Sequence, residues 1–138
     1  MTPEQIALVQ KSFDEIEPRA GEFVSDCYQN LFRISPGLTT LFLGNMPRQE
    51  EKLREVFTVL VHTMGELQCL LPELNALAVR HAAFGVQRQD YPLFGEALFK
   101  ALEKQFGPRF SGDLRNAWTA AYVLVSDILI AGSPAPVR

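Results

Sequence analysis

Histidine is nearly absent from this chain: its 138 residues include His62 and His81 and no other imidazole. Cysteine is as scarce, and Cys27 and Cys69 lack the CxxC spacing that would build a thiolate metal site. Both stand inside apolar helical patterns, which predicts a pair of buried thiols rather than a disulfide. No apolar run approaches the roughly 18 residues that a spanning helix needs, and Met1-Thr2-Pro3-Glu4-Gln5 lacks the basic-then-apolar layout of a signal peptide. A cytoplasmic protein without a membrane segment is therefore expected. Basic residues are outnumbered, 13 against 16 acids, so the net charge of -3 offers nucleic acid no electropositive footprint. Strand-period alternation, internal repeats and linker-like stretches are missing too. The length suits one domain with a substantial core and leaves no room for a second catalytic one.

What the chain does have is helical periodicity. Thr2-Pro3-Glu4-Gln5 combines a capping hydroxyl, proline at the first helical position and glutamine three residues after the cap. Ile6, Val9, Phe13 and Ile16 then recur at helical spacing until Pro18. About Arg19 to Arg33 repeats the pattern through Phe23, Val24, Cys27, Tyr28, Leu31 and Phe32. Ser35-Pro36-Gly37 opens a short helical turn ending near Leu41-Phe42, and Gly44-Asn45-Met46-Pro47-Arg48 reads as a loop. Gln49, Leu53, Val56, Phe57, Leu60 and Val61 share one face of a long helix. Another is predicted from Leu71 to His81 or Ala83, with Gly85 as its stop. Tyr91 to Phe106 is helical and ends at Gly107-Pro108. Ser111-Gly112-Asp113 is read as the cap of a last helix, Leu114 to about Ile130, whose nearly all-round apolar surface predicts a central position. Residues 132–138 are expected to form a disordered tail after a single domain of residues 1–131.

His81 lies in Leu77-Ala78-Val79-Arg80-His81-Ala82-Ala83-Phe84-Gly85-Val86, an apolar helical setting that suits a buried ligand better than a solvated base. Taken alone, such a histidine is more readily a satisfied, partly buried residue than a metal ligand. The same His-x-x-Phe-Gly-Val run, together with Leu41-Phe42, Asp90-Tyr91-Pro92-Leu93-Phe94-Gly95 and Ala117-Trp118-Thr119-Ala120-Ala121-Tyr122, resembles the globins over residues 2 to 131. Single-domain bacterial haemoglobins and the haem domain of flavohaemoglobins are matched more closely than myoglobin.

This resemblance implies an all-α globin fold, six to seven helices around a haem pocket, with haem b as cofactor and O2, NO or CO as ligand. It makes His81 the iron ligand, Phe42 the phenylalanine on the haem edge, and Tyr28, Gln49 and Leu53 the distal triplet. Val56, Leu77, Val86 and Phe94 complete the cofactor-binding set. A shorter spacing to His81, as in animal globins, would put Lys52 in the distal slot. Positions 49, 52, 53 and 56 share one helix face, so Lys52 lines the pocket mouth on either register, within reach of a haem propionate. His62, nine residues past Leu53, falls on the opposite face and is expected at or near the surface.

Iron in haem needs one strong axial donor, which a neutral imidazole supplies. The other ring N–H of His81 needs an acceptor, and a carbonyl of its own helix is the expected one. O2 on ferrous haem carries partial negative charge, so the Tyr28 phenol and the Gln49 amide can both donate to it. At roughly 1.5 kcal/mol each, the pair would slow O2 release on the order of a hundredfold. Tyr91 fits the tyrosine of the flavohaemoglobin network behind the haem. The matching late carboxylate has no counterpart, since no acid follows Asp127 and the corresponding position is near Ser133. The expected function is O2 binding, storage or delivery by a monomer or weak homodimer. NO dioxygenase activity fed by a separate reductase, and gas sensing, are the alternatives.

Overall fold

The computed structural model describes residues 1–42 and 44–134. Within them six α-helices follow one another: α1 Pro3–Ile16, α2 Ala20–Ile34, α3 Met46–His62, α4 Leu71–Ala83, α5 Asp90–Phe106 and α6 Gly112–Gly132. Short 3-10 segments fill the corners at Glu17–Arg19, Pro36–Leu41, Met64–Leu70 and Gly107–Arg109. α2 packs chiefly on α5, α1 and α4 on α6, and α3 on α2. Among the described residues no helix is long and apolar enough to cross a membrane.

The helix starts follow their sequences closely. Thr2 Oγ1 accepts from the Gln5 N–H at 3.1 Å, and Gln5 Oε1 accepts from the Thr2 N–H at 3.0 Å, so each residue satisfies a free donor of the other. The stretch read as a loop at 44–48 is mostly helix. Asn45 caps α3 by accepting from the Arg48 N–H at 3.2 Å, and Pro47 sits in the first turn, where its missing N–H costs nothing. Turn-forming residues and helix-starting residues are the same residues here, so composition alone could not tell the two apart.

Three other expectations need correction. Ser111 holds the N-cap position of α6, yet its hydroxyl donates to the Pro108 carbonyl at 3.0 Å instead of capping the helix. α6 is not central: Ala117, Trp118, Ala121 and Leu129 are buried, while Val123 is 49% exposed. The cause is one-sided cover. α1 and α4 pack on one flank, and the other borders an open groove of about 500 Å³ toward α5, lined in part by Phe99, Tyr122 and Val123. The cysteines do not form a buried pair, because Cys27 is fully enclosed and Cys69 is exposed on the 3-10 segment before α4. Burial pushes the Cys27 thiol pKa up, so it stays protonated as core. Gly132 closes α6, and residues 135–138 of the expected tail lie outside the described residues.

Phe13, Ile16, Leu98 and Leu102 form the fully buried centre. One polar chain threads it: Trp118 Nε1 donates to Ser12 Oγ at 2.9 Å, and that hydroxyl donates to the Val9 carbonyl at 3.0 Å. The bond ties α6 to α1. Ser12→Ala would leave the indole N–H buried without an acceptor, and an unsatisfied buried donor costs about 1–3 kcal/mol. Denaturant titration should show that loss with an unchanged m-value; a midpoint equal to wild type would refute it.

Candidate functional site

α4 ends in a way that builds half of the site. The Val86 N–H donates to the His81 carbonyl at 3.0 Å and the Gly85 N–H to the Ala82 carbonyl at 3.1 Å, a Schellman ending around Gly85 at φ +98°. Val86 is thereby folded back beside the last turn, which carries His81. A side chain at Gly85 would be strained by that φ and would meet Leu41 Cδ2 at 3.2 Å. This close approach sets the segment carrying Phe42 against the end of α4.

The His81 imidazole is half-buried, and burial, then the Arg80 charge, lowers its pKa, so the neutral ring is favoured. Its Nδ1 faces the Tyr91 hydroxyl at 3.4 Å. The acceptor expected on its own helix is therefore replaced by a side chain from α5: among the described residues no carbonyl of α4 takes this bond. Nε2 has no hydrogen-bond partner among the described residues. Leu77, one turn earlier, is half-buried.

Tyr91 is held from behind. The Tyr122 hydroxyl of α6 donates to the Tyr91 carbonyl at 2.5 Å. Its ring fits there because position 95 is glycine; a Cβ would stand 2.7 Å from Tyr122 Cε2. Phe94 stacks on the same ring at 6.4 Å. In the sequence Gly95 and Tyr122 are only parts of two separate motifs, and their contact is not legible there, since nothing local relates positions 27 residues apart.

On the other side Tyr28 of α2 is buried, with the edge of Phe42 against its ring at 5.3 Å and Phe32 stacked at 6.1 Å. Gln49 Nε2, from the first turn of α3, donates to the Tyr28 hydroxyl oxygen at 3.3 Å. Burial, only partly opposed by this bond, pushes the Tyr28 pKa up to about 12. Leu53 and Phe94 pack against both the Tyr28 cluster and the main core that holds Tyr91, Leu77 and Val86. They connect the two halves. Val56 is half-buried and Lys52 exposed. His62, at the far end of α3, is exposed; it meets Glu17 at 2.8 Å and the edge of Phe13, away from these residues, as its helix position requires.

These residues suit a haem. Among the described residues there is no group of three or more His, Cys, Asp or Glu able to hold a bare metal ion. A single imidazole with an unengaged Nε2 is the donor needed by an iron that already has its four in-plane ligands. Phe42, Leu53, Val56, Leu77, Val86 and Phe94 are all apolar and only half-buried. Such incompletely covered apolar surface is what a flat hydrophobic cofactor would cover.

The Globin family profile matches residues 25–129. A neuroglobin from Danio rerio is 31% identical over 119 residues, covering 76% of this chain and 75% of that protein. A flavohaemoprotein from Chromobacterium violaceum is 26% identical over 127 residues, 90% of this chain. The chain spans 31% of that protein's length, and 26% and 34% of the flavohaemoproteins from Halalkalibacterium halodurans and Vibrio cholerae. An engineered carbene transferase from Rhodothermus marinus superposes with a TM-score of 0.84 at 25% identity, over 95% of this chain and 92% of the other. The chain belongs to the globin family of haem-containing, gas-binding proteins.

Proposed function

We propose that this globin holds haem b through His81 Nε2 and binds O2 reversibly beneath Tyr28 and Gln49. When bound, the haem would supply a ferrous iron able to take up a diatomic gas. The observation that carries the reading is the direction of the Gln49 to Tyr28 hydrogen bond. Gln49 spends one amide proton on the phenol oxygen, so the phenol proton is left to point at the ligand. A second Gln49 proton remains as well. Phe42, Leu53 and Val56 exclude water from this face, and Leu77, Val86 and Phe94 wall the other. Lys52 is the cation available to a propionate at the mouth.

The purified protein, supplied with haem during expression, should show a Soret band that responds to reduction and to CO. Its oxygenated spectrum should revert when O2 is removed. A protein that takes up no haem under these conditions would overturn the proposal and favour a regulatory role without cofactor.

A second reading has a specific support, the flavohaemoprotein relatives and the Rhodothermus marinus neighbour, which is classed provisionally as a nitric oxide dioxygenase. Conversion of O2 and NO to nitrate takes one electron from ferrous haem. Each turnover then needs a one-electron donor, supplied by a separate reductase. Stopped-flow mixing of the oxygenated protein with NO tests it: oxidation close to the diffusion limit supports this activity, and a slow reaction removes it.

A further inference from the structure

α6 is apolar around nearly all of its circumference, a pattern that belongs to a helix covered on every side, yet α1 and α4 cover only one flank. The other borders the open groove of about 500 Å³ toward α5, and α6 leaves Val123 and Leu124 49% and 36% exposed. α5 and α6 run antiparallel, with Gly95 against Tyr122 at one level and Arg115 bonded to Glu103 at 3.0 Å at another. The charges of the groove are thereby sorted along its length. Glu96 and Asp127 lie toward one end, Lys100 and Arg115 toward the other, and Phe99, Tyr122 and Val123 line the stretch between Asp127 and Arg115. Among the described residues Glu96, Lys100 and Asp127 have no ion-pair partner. Arg115 is held by Glu103 and lies over the rings of Phe99 and Phe110 at 5.4 and 5.2 Å. One end thus keeps a pair of acids and the other an uncompensated lysine.

We propose that this α5–α6 face binds the same face of a second copy of the chain, antiparallel and related by a two-fold axis. An axis across the middle of the groove lays the acidic end of one copy on the basic end of the other, and does so twice. Lys100 then stands opposite Glu96 of the second copy and Arg115 opposite its Asp127, while Val123 of each copy enters the apolar stretch of the other. A parallel arrangement would set acid on acid and lysine on lysine, so the order of the charges selects the antiparallel pair. A small ligand seated at one end would leave the opposite charge at the other end unused; a two-fold copy engages both. The pairing covers the flank of α6 that the single chain leaves open. Arg115, already fixed by Glu103 and two rings, has little side-chain freedom to lose on association.

The test is sedimentation velocity of the full haem-loaded chain over a concentration series, at low and high salt. The wild type should pass from monomer to dimer as concentration rises, and salt should weaken the dimer because its end contacts are exposed ion pairs. Glu96→Lys and Lys100→Glu should each weaken it about tenfold, since each change occurs twice across the axis and turns attraction into repulsion. The double variant Glu96→Lys/Lys100→Glu should recover most of that loss, because each reversed charge again meets its opposite. Val123→Glu, which places a charge in the apolar middle, should leave a monomer. All three side chains are exposed in the single chain, so the circular dichroism and thermal midpoint of every variant should match wild type. A wild type that stays monomeric up to roughly 1 mM refutes the proposal, whether or not the groove then takes up a fluorescent fatty acid. A dimer that no single change weakens uses another face and refutes it as well. Weakening by the single changes without recovery in the double variant would overturn the antiparallel order.

Discussion

Replacing His81 with alanine is expected to abolish stable haem binding while leaving the helices intact. The side chain contributes the unengaged Nε2, whereas the local fold depends on its carbonyl, which accepts from Val86 and is kept by alanine. Alanine is also the best helix former. Loss of even a hydrogen-bond partner of a metal ligand costs about 10–100-fold in affinity, so loss of the ligand should exceed that. The Soret band should vanish, the far-ultraviolet circular dichroism of the apoprotein should match wild type, and added imidazole should restore a band. A His81→Ala protein that keeps the wild-type ferrous spectrum would show that iron is held elsewhere. The pH course has a definite sign. Burial places the folded pKa below the unfolded value of about 6.5, so the unfolded chain takes up the proton first. The contribution of His81 to stability is at its full level above that pH and falls as acid is added.

Removing the distal donors is the second large effect. Tyr28→Phe and Gln49→Leu should each speed O2 release several-fold, up to about tenfold for a bond near 1.5 kcal/mol. Together they should approach a hundredfold, with CO release much less affected because bound CO is less polar. The two effects will not simply multiply. Tyr28→Phe also removes the acceptor of one Gln49 proton, freeing it for the ligand, so a coupling between the two changes is expected in a double-mutant cycle. With the Tyr28 pKa near 12, the phenol remains a donor across neutral and mildly alkaline pH, and the release rate should be flat from about pH 6 to 10. If neither single change alters the release rate, the distal face is formed otherwise, and Lys52→Leu becomes the informative variant.

Much of the site was legible because several of its members are anchored by local patterns. His81 sits where an apolar helical face runs out at Gly85, and the Schellman ending that folds Val86 back involves only residues 81 to 86. Tyr28 and Gln49 belong to well-marked apolar faces, and their meeting was anticipated through the family pattern rather than from spacing. Gly95 and Tyr122 carry no such local signal. Each is unremarkable in its own helix, and each matters only through the contact they make across helices.

The course of most helices, the Thr2-Pro3 start of α1 and the glycine stop of α4 were contained in the amino-acid order, since capping and helical period act over about four residues; the Asn45 start of α3 was not, because the same residues also build turns. The surroundings of His81 were not. Its Nδ1 meets a phenol from α5 rather than the carbonyl of its own helix, and the backbone carbonyl of that tyrosine is held by the Tyr122 hydroxyl of α6. Likewise α6 is apolar nearly all round, and which flank is covered depends on where α1 and α4 pack. Such choices are made by the competition among helix faces for burial and among polar groups for partners, and these interactions exist only once the chain has folded.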